Sequence, residues 1–217
     1  MENPLNFLAL KMTWVVIAIV TSGLVLLKGR LSVVPSRRQC LLEAVSVWFD
    51  DMLKESLGES GRKFLPLIMT LFLFVLVSNL LSVVPALSSP TADLNTCLGL
   101  GLLVFFIAHV SAIRKLGVKN YLGHYFKPFW WLFPSNVISE FSKVLSHSLR
   151  LFGNMFAGGL MLSFLPVIMK MFPAGWAVPL NLMLMPMINL FFGVIIGCIQ
   201  AFVFTILAVA YISVLRY

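Results

Sequence analysis

The sequence predicts an all-α integral membrane protein with about five transmembrane helices and one amphipathic helix at the membrane interface. Hydrophobic residues make up 60% of the 217 residues, charged residues make up only 11%, and the mean hydropathy is +0.99. A soluble domain needs a charged surface toward water, so this composition excludes that class. Because about 20 apolar residues cross roughly 30 Å of hydrocarbon, residues 1–217 have room for five spans in a single membrane domain.

The N-terminal third is predicted to contain two spans separated by a surface helix. The first span covers residues 8–27 and ends at the basic residues Lys28 and Arg30. Within residues 35–63, apolar residues recur at helical spacing against charged ones, which predicts an amphipathic helix on the cytoplasmic membrane surface. A helix that binds a soluble partner is the alternative interpretation. Residues 64–87 form the second span, ending near Pro85.

The remaining elements are a short span, a basic loop and a pair of unusually long helices. Residues 94–113 form the third span, and residues 114–133 form a basic loop in which Phe129, Trp130 and Trp131 are typical of an interfacial aromatic belt. Residues 136–169 and 177–215 each exceed the length of a perpendicular span, so we expect a strongly tilted hairpin.

Basic residues predict the orientation of these spans. Seven Lys or Arg lie between Lys28 and Lys63 and four between Arg114 and Lys127, whereas the 82–93 segment has none and the 169–176 segment has only Lys170. Segments rich in Lys and Arg face the cytoplasm, which places the N-terminus outside and the C-terminus inside. Because these residues lie between apolar runs, they do not indicate a nucleic-acid partner.

Other chemistry is not indicated by the residue patterns. The three cysteines form no CxxC pair, and the three histidines lack metal-binding spacing. No GxSxG nucleophile motif occurs. The sequence therefore predicts no metal, no cofactor and no catalytic site within this chain.

Arg150 is the first candidate functional residue. An arginine near the middle of a span costs about 2.5–3.5 kcal/mol on insertion scales, so it should face protein or water and have a function. The alternative, an arginine that reaches the membrane interface, is weak because a long run of apolar and small residues follows it before Met169.

Residues at helical spacing surround Arg150 with a stripe that is polar at first and then small. Its other members proposed for the site are Ser146, His147, Gly153, Asn154, Ala157 and Gly158. A second stripe in the last helix contains Asn189, Gly193, Gly197 and Gln200. Small residues at this spacing also occur in ordinary helix packing. The amide of Gln200 is more informative, because in lipid it needs a partner that the helix carrying Arg150 could supply.

Three motifs carry a resemblance to a known family. Residues 148–158 read SLRLFGNMFAG, residues 200–205 read QAFVFT and residues 90–96 read PTADLNT. In this order they resemble the signatures of subunit a of F-type ATP synthases, over roughly residues 64–213. The resemblance implies an ion-translocating subunit, in a bacterial inner membrane, that binds a ring of c subunits and peripheral-stalk b subunits.

The resemblance also implies roles for individual residues. Arg150 matches the arginine that faces the ion-binding carboxylate of the ring, and Gln200 matches the glutamine opposite it. Asn154 matches a channel-lining asparagine, and Asn79 matches one near the outer access path. The small residues Gly153, Ala157, Gly158, Gly193 and Gly197 are expected to pack against the ring.

The sequence departs from the family at two positions, where relatives commonly carry acids or histidines and this chain has Gly159 and Gly193. By elimination, Asp93 and Glu140 are the acidic residues left near the channel segments. Asp93 is expected at the outer mouth and Glu140 in the inner half-channel. Their alternatives are a helix cap for Asp93 and an ion pair with Lys143 for Glu140. Protons are favoured over sodium, as the commoner ion in the family.

A stand-alone secondary cation transporter is the alternative function. Such transporters also place charges within broken or tilted helices, but they usually contain two internally related halves. No such repeat is visible in this chain.

Overall fold

A computed structural model describes residues 7–28, 37–84, 87–125, 130–171 and 173–216. Within these residues the regular structure is helical throughout, and five helical segments are long and apolar enough to cross a membrane. They cover Phe7–Val25, Glu43–Leu81, Leu94–Leu116, Phe133–Met169 and Val178–Arg216. The predicted all-α membrane fold with five spans is confirmed.

Eight α-helices make up the described part of the chain. They are α1 (Phe7–Lys28), α2 (Arg37–Leu57), α3 (Leu65–Leu81), α4 (Leu94–Leu116), α5 (Val118–Tyr125), α6 (Phe133–Met169), α7 (Ala174–Leu190) and α8 (Gly197–Arg216). Short 3-10 segments cover Gly58–Phe64, Pro90–Ala92 and Trp130–Leu132, and a π-helical turn, Phe191–Ile196, joins α7 to α8.

The chain folds back between α2 and α3, although the segment is helical without a break. Gly58 has a φ of 68°, and Gly61 is buried against the backbone of Leu53. Arg62 Nε lies 3.7 Å from Asp50 Oδ1, whereas twelve residues of straight helix would cover about 18 Å. The helix α2 is therefore a separate element, which packs against α3 and α8. Its place on the membrane surface stays a prediction.

The core lies where α3, α4, α6 and α8 meet. Ala108 on α4 and Ala201 and Ala208 on α8 are fully buried, and the large side chain of Phe204 is 1% exposed. Small residues let helix backbones approach closely in a membrane, where packing rather than water exclusion drives helix association. This core fixes the position of α8 relative to the polar side of α6.

The last two helical segments form a long antiparallel hairpin. The helix α6 has 37 residues and is about 55 Å long. The helices α7 and α8 and the π-helical turn between them run without interruption from Ala174 to Arg216, about 64 Å. Both exceed the roughly 30 Å of hydrocarbon, so they must tilt strongly or extend beyond it.

The structure corrects two predicted boundaries. The predicted loop 114–133 contains α5, because Gly117, with a φ of 77°, ends α4 and a new helix starts at once. The second span ends at Leu81 rather than at residue 87, and a turn follows. The predicted features at Arg30, Pro35, Pro85 and Phe129 lie outside the described residues.

Candidate functional site

A cavity of about 470 Å³ lies between α4, α6 and α8, and we call it the inner cavity because the predicted orientation places it toward the cytoplasm. Three of the predicted site residues line it together, Ser146, His147 and Arg150. The other polar residues of its wall are Ser139, Ser142, Lys143 and Tyr211. The polar half of the α6 stripe therefore faces a cavity that is wide enough for several water molecules.

Arg150 lies at the end of this cavity and in the middle of α6. It is 17 residues from the start of the helix, about 25 Å, so its side chain cannot reach either end. The side chain is exposed, and it forms no hydrogen bond or ion pair within the described part of the chain. A guanidinium remains charged at any relevant pH. This arginine is thus available to an anionic group from another molecule.

Asn154, one helical turn after Arg150, connects α6 to α8. Its Nδ2 donates a hydrogen bond of 2.7 Å to Oε1 of Gln200. Gln200 is 5% exposed, and its Nε2 is buried with no partner among the described residues. The helix that carries Arg150 does supply a partner for Gln200, as expected, but that partner is Asn154.

His147 lies on the wall of the inner cavity, and Glu140 lies beside that cavity. The His147 ring packs 4.1 Å from the ring of Phe204, and within the described chain its Nε2 is buried and unpaired. Glu140 accepts hydrogen bonds from Lys143 Nζ at 2.7 Å and from Tyr211 Oη at 2.5 Å. Because both donors line the cavity, Glu140 is connected to it through them.

Another cavity, of about 900 Å³, lies near the turn of the hairpin, and we call it the outer cavity after the same predicted orientation. Its polar lining residues are Ser82, Lys170, Asn181 and Asn189. Asn189 donates a hydrogen bond of 3.1 Å to the carbonyl of Val83, and Asn181 Oδ1 is buried with no partner among the described residues. The two cavities share no lining residue. On α6, the outer cavity begins at Leu162, about 18 Å beyond Arg150.

Asn79 and Asp93 are not part of the outer cavity wall. Asn79 is fully buried, donates to the Gly197 carbonyl at 3.0 Å and accepts from Thr91 Oγ1 at 2.8 Å. It therefore ties α3 to α8 and to the 3-10 turn before α4. Asp93 stands at the N-cap of α4, but its carboxylate accepts from Thr96 Oγ1 at 3.4 Å and does not bond the backbone.

Five glycine and alanine positions are expected to face the ring. At three of them, other side chains of this chain fill the space beside the residue. A Cβ added to Gly158 would lie 3.0 Å from Phe192 Cβ, and one added to Gly197 would lie 3.0 Å from Asn79 Cβ. A Cβ on Gly193 would clash with Val83. These three positions therefore pack against side chains of this chain, and packing of the stripe against the ring stays a prediction. Gly153 has open space around it and Ala157 is exposed.

Gly159 and Gly193, where the resemblance implies an acid or a histidine, have opposite surroundings. Gly193 is buried where the π-helical turn before α8 meets the end of α3. Val83 leaves no space there for a larger side chain. Gly159 is exposed, and nothing lies within 4 Å of a Cβ added there. Of these two glycines, only Gly159 has room for a larger side chain.

Several polar lining residues were not proposed from the sequence, among them Tyr211 in the inner cavity and Asn181 in the outer one. Helical spacing could have identified both. Tyr211 is eleven residues, about three turns, from Gln200. Asn181 is eight residues, about two turns, from Asn189.

Comparisons with known proteins identify relatives over nearly the whole chain. The family described as ATP synthase A chain matches residues 10–213. ATP synthase subunit a of Moorella thermoacetica is 38% identical over 201 residues, which cover 93% of this chain and 87% of that protein. The subunit from Geotalea daltonii is 40% identical over 210 residues, covering 94% and 86%. ATP synthase subunit a 1 of Syntrophotalea carbinolica is 39% identical over 204 residues, covering 92% and 82%.

Proposed function

The chain belongs to the ATP synthase A chain family, and from that premise we propose that it translocates protons past a rotating ring of c subunits. It acts as the stator of an F-type ATP synthase and is held in place by peripheral-stalk b subunits. It carries out no catalytic step itself and couples ion flow to rotation. In this proposal it lies in the inner membrane of a bacterium, with its N-terminus outside and Arg216 on the cytoplasmic side.

The observation that carries the proposal is the position of Arg150 between two separate cavities. The inner cavity, about 470 Å³, ends at Arg150, and the outer cavity, about 900 Å³, begins about 18 Å further along α6. A continuous pore would let ions leak. Two offset half-channels instead require each ion to leave one cavity, travel on the ring and enter the other.

Electrostatics supports the role of Arg150 in this cycle. Its charge has no counterion among the described residues, so a ring carboxylate that passes it gains a partner. An adjacent guanidinium favours the ionised carboxylate, which makes the carboxylate release its proton. The same charge repels cations that would cross directly. Each proton that moves across about 100 mV contributes about 2.3 kcal/mol, so several must pass for each ATP.

The lining of both cavities favours protons over sodium. The polar wall of the outer cavity consists of hydroxyls, amides and Lys170, and that of the inner cavity includes Lys143 and Arg150. Among the described residues, neither lining includes a carboxylate that would compensate the charge of a sodium ion held in the cavity. A proton can instead pass along water molecules and hydroxyl groups without occupying a cation site.

Ion dependence of the intact complex tests this function. Inverted vesicles that contain the complex are expected to acidify on addition of ATP in sodium-free medium, and a protonophore should abolish the gradient. A requirement for sodium at alkaline pH, with uptake that resists the protonophore, would overturn the choice of ion.

Co-purification distinguishes the proposal from a stand-alone cation transporter. We expect the chain to be isolated with a ring of hairpin subunits and a soluble ATPase head. Ion transport by the chain alone in lipid vesicles, without these partners, would support the transporter instead.

A further inference from the structure

A third cavity, of about 610 Å³, lies where the start of α3 and the ends of α4 and α8 meet. Four basic residues line it, Lys63, Arg114, Lys115 and Arg216. The rest of its wall is mainly apolar, with Phe64, Phe106, Ile107 and Val110. It shares no residue with the inner or the outer cavity, and the proposed ion path does not use it.

Arg216 has hydrogen-bonding capacity that the described chain does not meet. Its Nη2 donates to Ser60 Oγ at 3.3 Å, and its guanidinium lies 5.4 Å from the centre of the Phe64 ring. Its Nε and Nη1 are buried and form no hydrogen bond within the described residues. Unpaired donors on a charged group are costly, so an acceptor at this wall would stabilise the structure.

The charge around this cavity is strongly positive. No acidic residue is among its lining residues. The C-terminal ends of α4 and α8 each contribute about half a negative charge from the helix dipole, which offsets only part of the four cations. Lys115 has a further interaction of its own, but Lys63, Arg114 and Arg216 alone leave a net excess of about two positive charges at the wall, which favours an anionic ligand.

The surface beside the cavity has an apolar part and a charged part, as a binding site for an amphiphilic molecule needs. Phe106, Val110 and Arg114 follow one another at intervals of four residues on one face of α4, and all three are exposed. An apolar strip that begins at Phe106 thus leads to the cation Arg114, about 12 Å further along the helix at the end of a membrane span. Free phosphate would use the cations only, whereas a lipid would also cover Phe106 and Val110.

We propose that this cavity binds the phosphate head group of an anionic membrane phospholipid, with an acyl chain along the apolar strip of α4. Basic residues at the cytoplasmic ends of spans attract anionic lipid head groups. The site rests on the membrane orientation proposed above, and it is independent of the proposed ion path. The bound lipid would hold together the ends of α3, α4 and α8, three helices that also form the core.

Equilibrium binding to the intact, delipidated ATP synthase complex tests the proposal. Fluorescent phosphatidylglycerol is the probe, with phosphatidylcholine and inorganic phosphate as competitors. We expect a saturable site that phosphatidylcholine and phosphate do not compete for. Arg114→Gln and Arg216→Gln should each weaken binding about fivefold, the effect of one basic residue near a lipid surface. Arg216→Lys should retain most of the affinity.

Lys119→Gln is the matched control, because Lys119 is exposed on the neighbouring helix α5 and does not line the cavity. Equal affinity in the control and the cavity variants would overturn the site. Full competition by phosphate would overturn the choice of a lipid, and full competition by phosphatidylcholine would overturn anionic selectivity. If Arg216→Gln fails to assemble, Arg114→Gln at the exposed rim decides the question.

Discussion

Asn154 on α6 donates a 2.7 Å hydrogen bond to Gln200 on α8, one helical turn beyond Arg150. This contact sets the separation of the two helices close to the unpaired guanidinium. It also places an amide pair between the two cavities, where a direct pore would otherwise have to pass. The arginine therefore stands on a rigid pair of helices, which its proposed role requires because a ring carboxylate must meet it in a fixed position.

The first prediction concerns the charge of Arg150. Arg150→Ala is expected to abolish ATP-driven proton pumping and proton-driven ATP synthesis, because no other cation would make the ring carboxylate release its proton. Arg150→Lys should not restore coupling, since a flexible ammonium lacks the planar guanidinium fork. Vesicle acidification and ATP synthesis would be measured with Lys119→Ala, an exposed site on α5, as the control. Normal pumping in the Arg150→Ala vesicles would contradict the mechanism.

A second prediction concerns the packing of Gly158 against Phe192. Gly158→Leu should push α6 away from the π-helical turn, at a cost of about 1–3 kcal/mol, and reduce the amount of assembled complex. Phe192→Ala in the same chain should recover part of that loss. Gly99→Leu is the control, because nothing lies within 4 Å of a Cβ at Gly99. If the Gly158→Leu variant assembles fully, Phe192 does not limit the size of residue 158.

The fold was largely predictable because lipid imposes length and hydropathy on every span. The least predictable part was the segment from α2 to α3, where the fold-back depends on Gly58 and on the packing of Gly61 under Leu53. A hydropathy profile gives no information about such close contacts. The helix α5 was missed for a related reason, since its polar residues are typical of a loop and its position depends on Tyr121, which is buried against His109.

The candidate site was predictable where one helix carries it. Ser146, His147 and Arg150 share a face of α6 by spacing alone, and the structure places all three on one cavity. Partners between helices were not predictable in the same way. Gly193 and Gly197 both meet α3, whereas Gln200 meets α6. Helical spacing groups these residues on one stripe and does not say which neighbouring helix each of them contacts.

A third prediction concerns the buried hydrogen bond between Thr91 and Asn79. Thr91→Val keeps the shape of the side chain but removes the donor to Asn79 Oδ1, so we expect a loss of about 1–3 kcal/mol in stability. Titration with a denaturing detergent would measure this loss of stability, as a shift in the midpoint at which the folded subunit is lost from the complex. Thr70→Val is the control, because Thr70 is exposed and bonds only its own helix. Equal midpoints for both variants would contradict the assignment.

Histidine substitutions at Gly159 and Gly193 give a fourth prediction. Gly193→His should reduce assembly because the new side chain would clash with Val83, whereas Gly159→His should assemble normally. Combining Gly193→His with Val83→Ala should restore part of the assembly, since space is recovered. The amount of complex in purified membranes measures each variant. Equal assembly of the two single variants would show that Val83 does not limit the size of residue 193.

The last prediction concerns the two carboxylates closest to the channel segments. Glu140 accepts hydrogen bonds from Lys143 and Tyr211, which both line the inner cavity, so Glu140→Gln should slow ATP synthesis and change its dependence on cytoplasmic pH. Tyr211→Phe should act in the same direction but more weakly, because the carboxylate keeps its pair with Lys143.

Asp93 follows the outer turn and is partly buried beside Thr96, so Asp93→Asn should alter the dependence on outside pH instead. Glu55→Gln is the control for both, because Glu55 is exposed on α2, far along the chain from either cavity. The two pH profiles would be recorded separately, by varying pH on one side of the vesicles at a constant gradient of electrical potential. A side-specific change in each variant places one carboxylate in each half-channel. If both variants reproduce the profiles of Glu55→Gln, ions move through both cavities on water, hydroxyls and amides alone, and the assignment of these carboxylates is wrong.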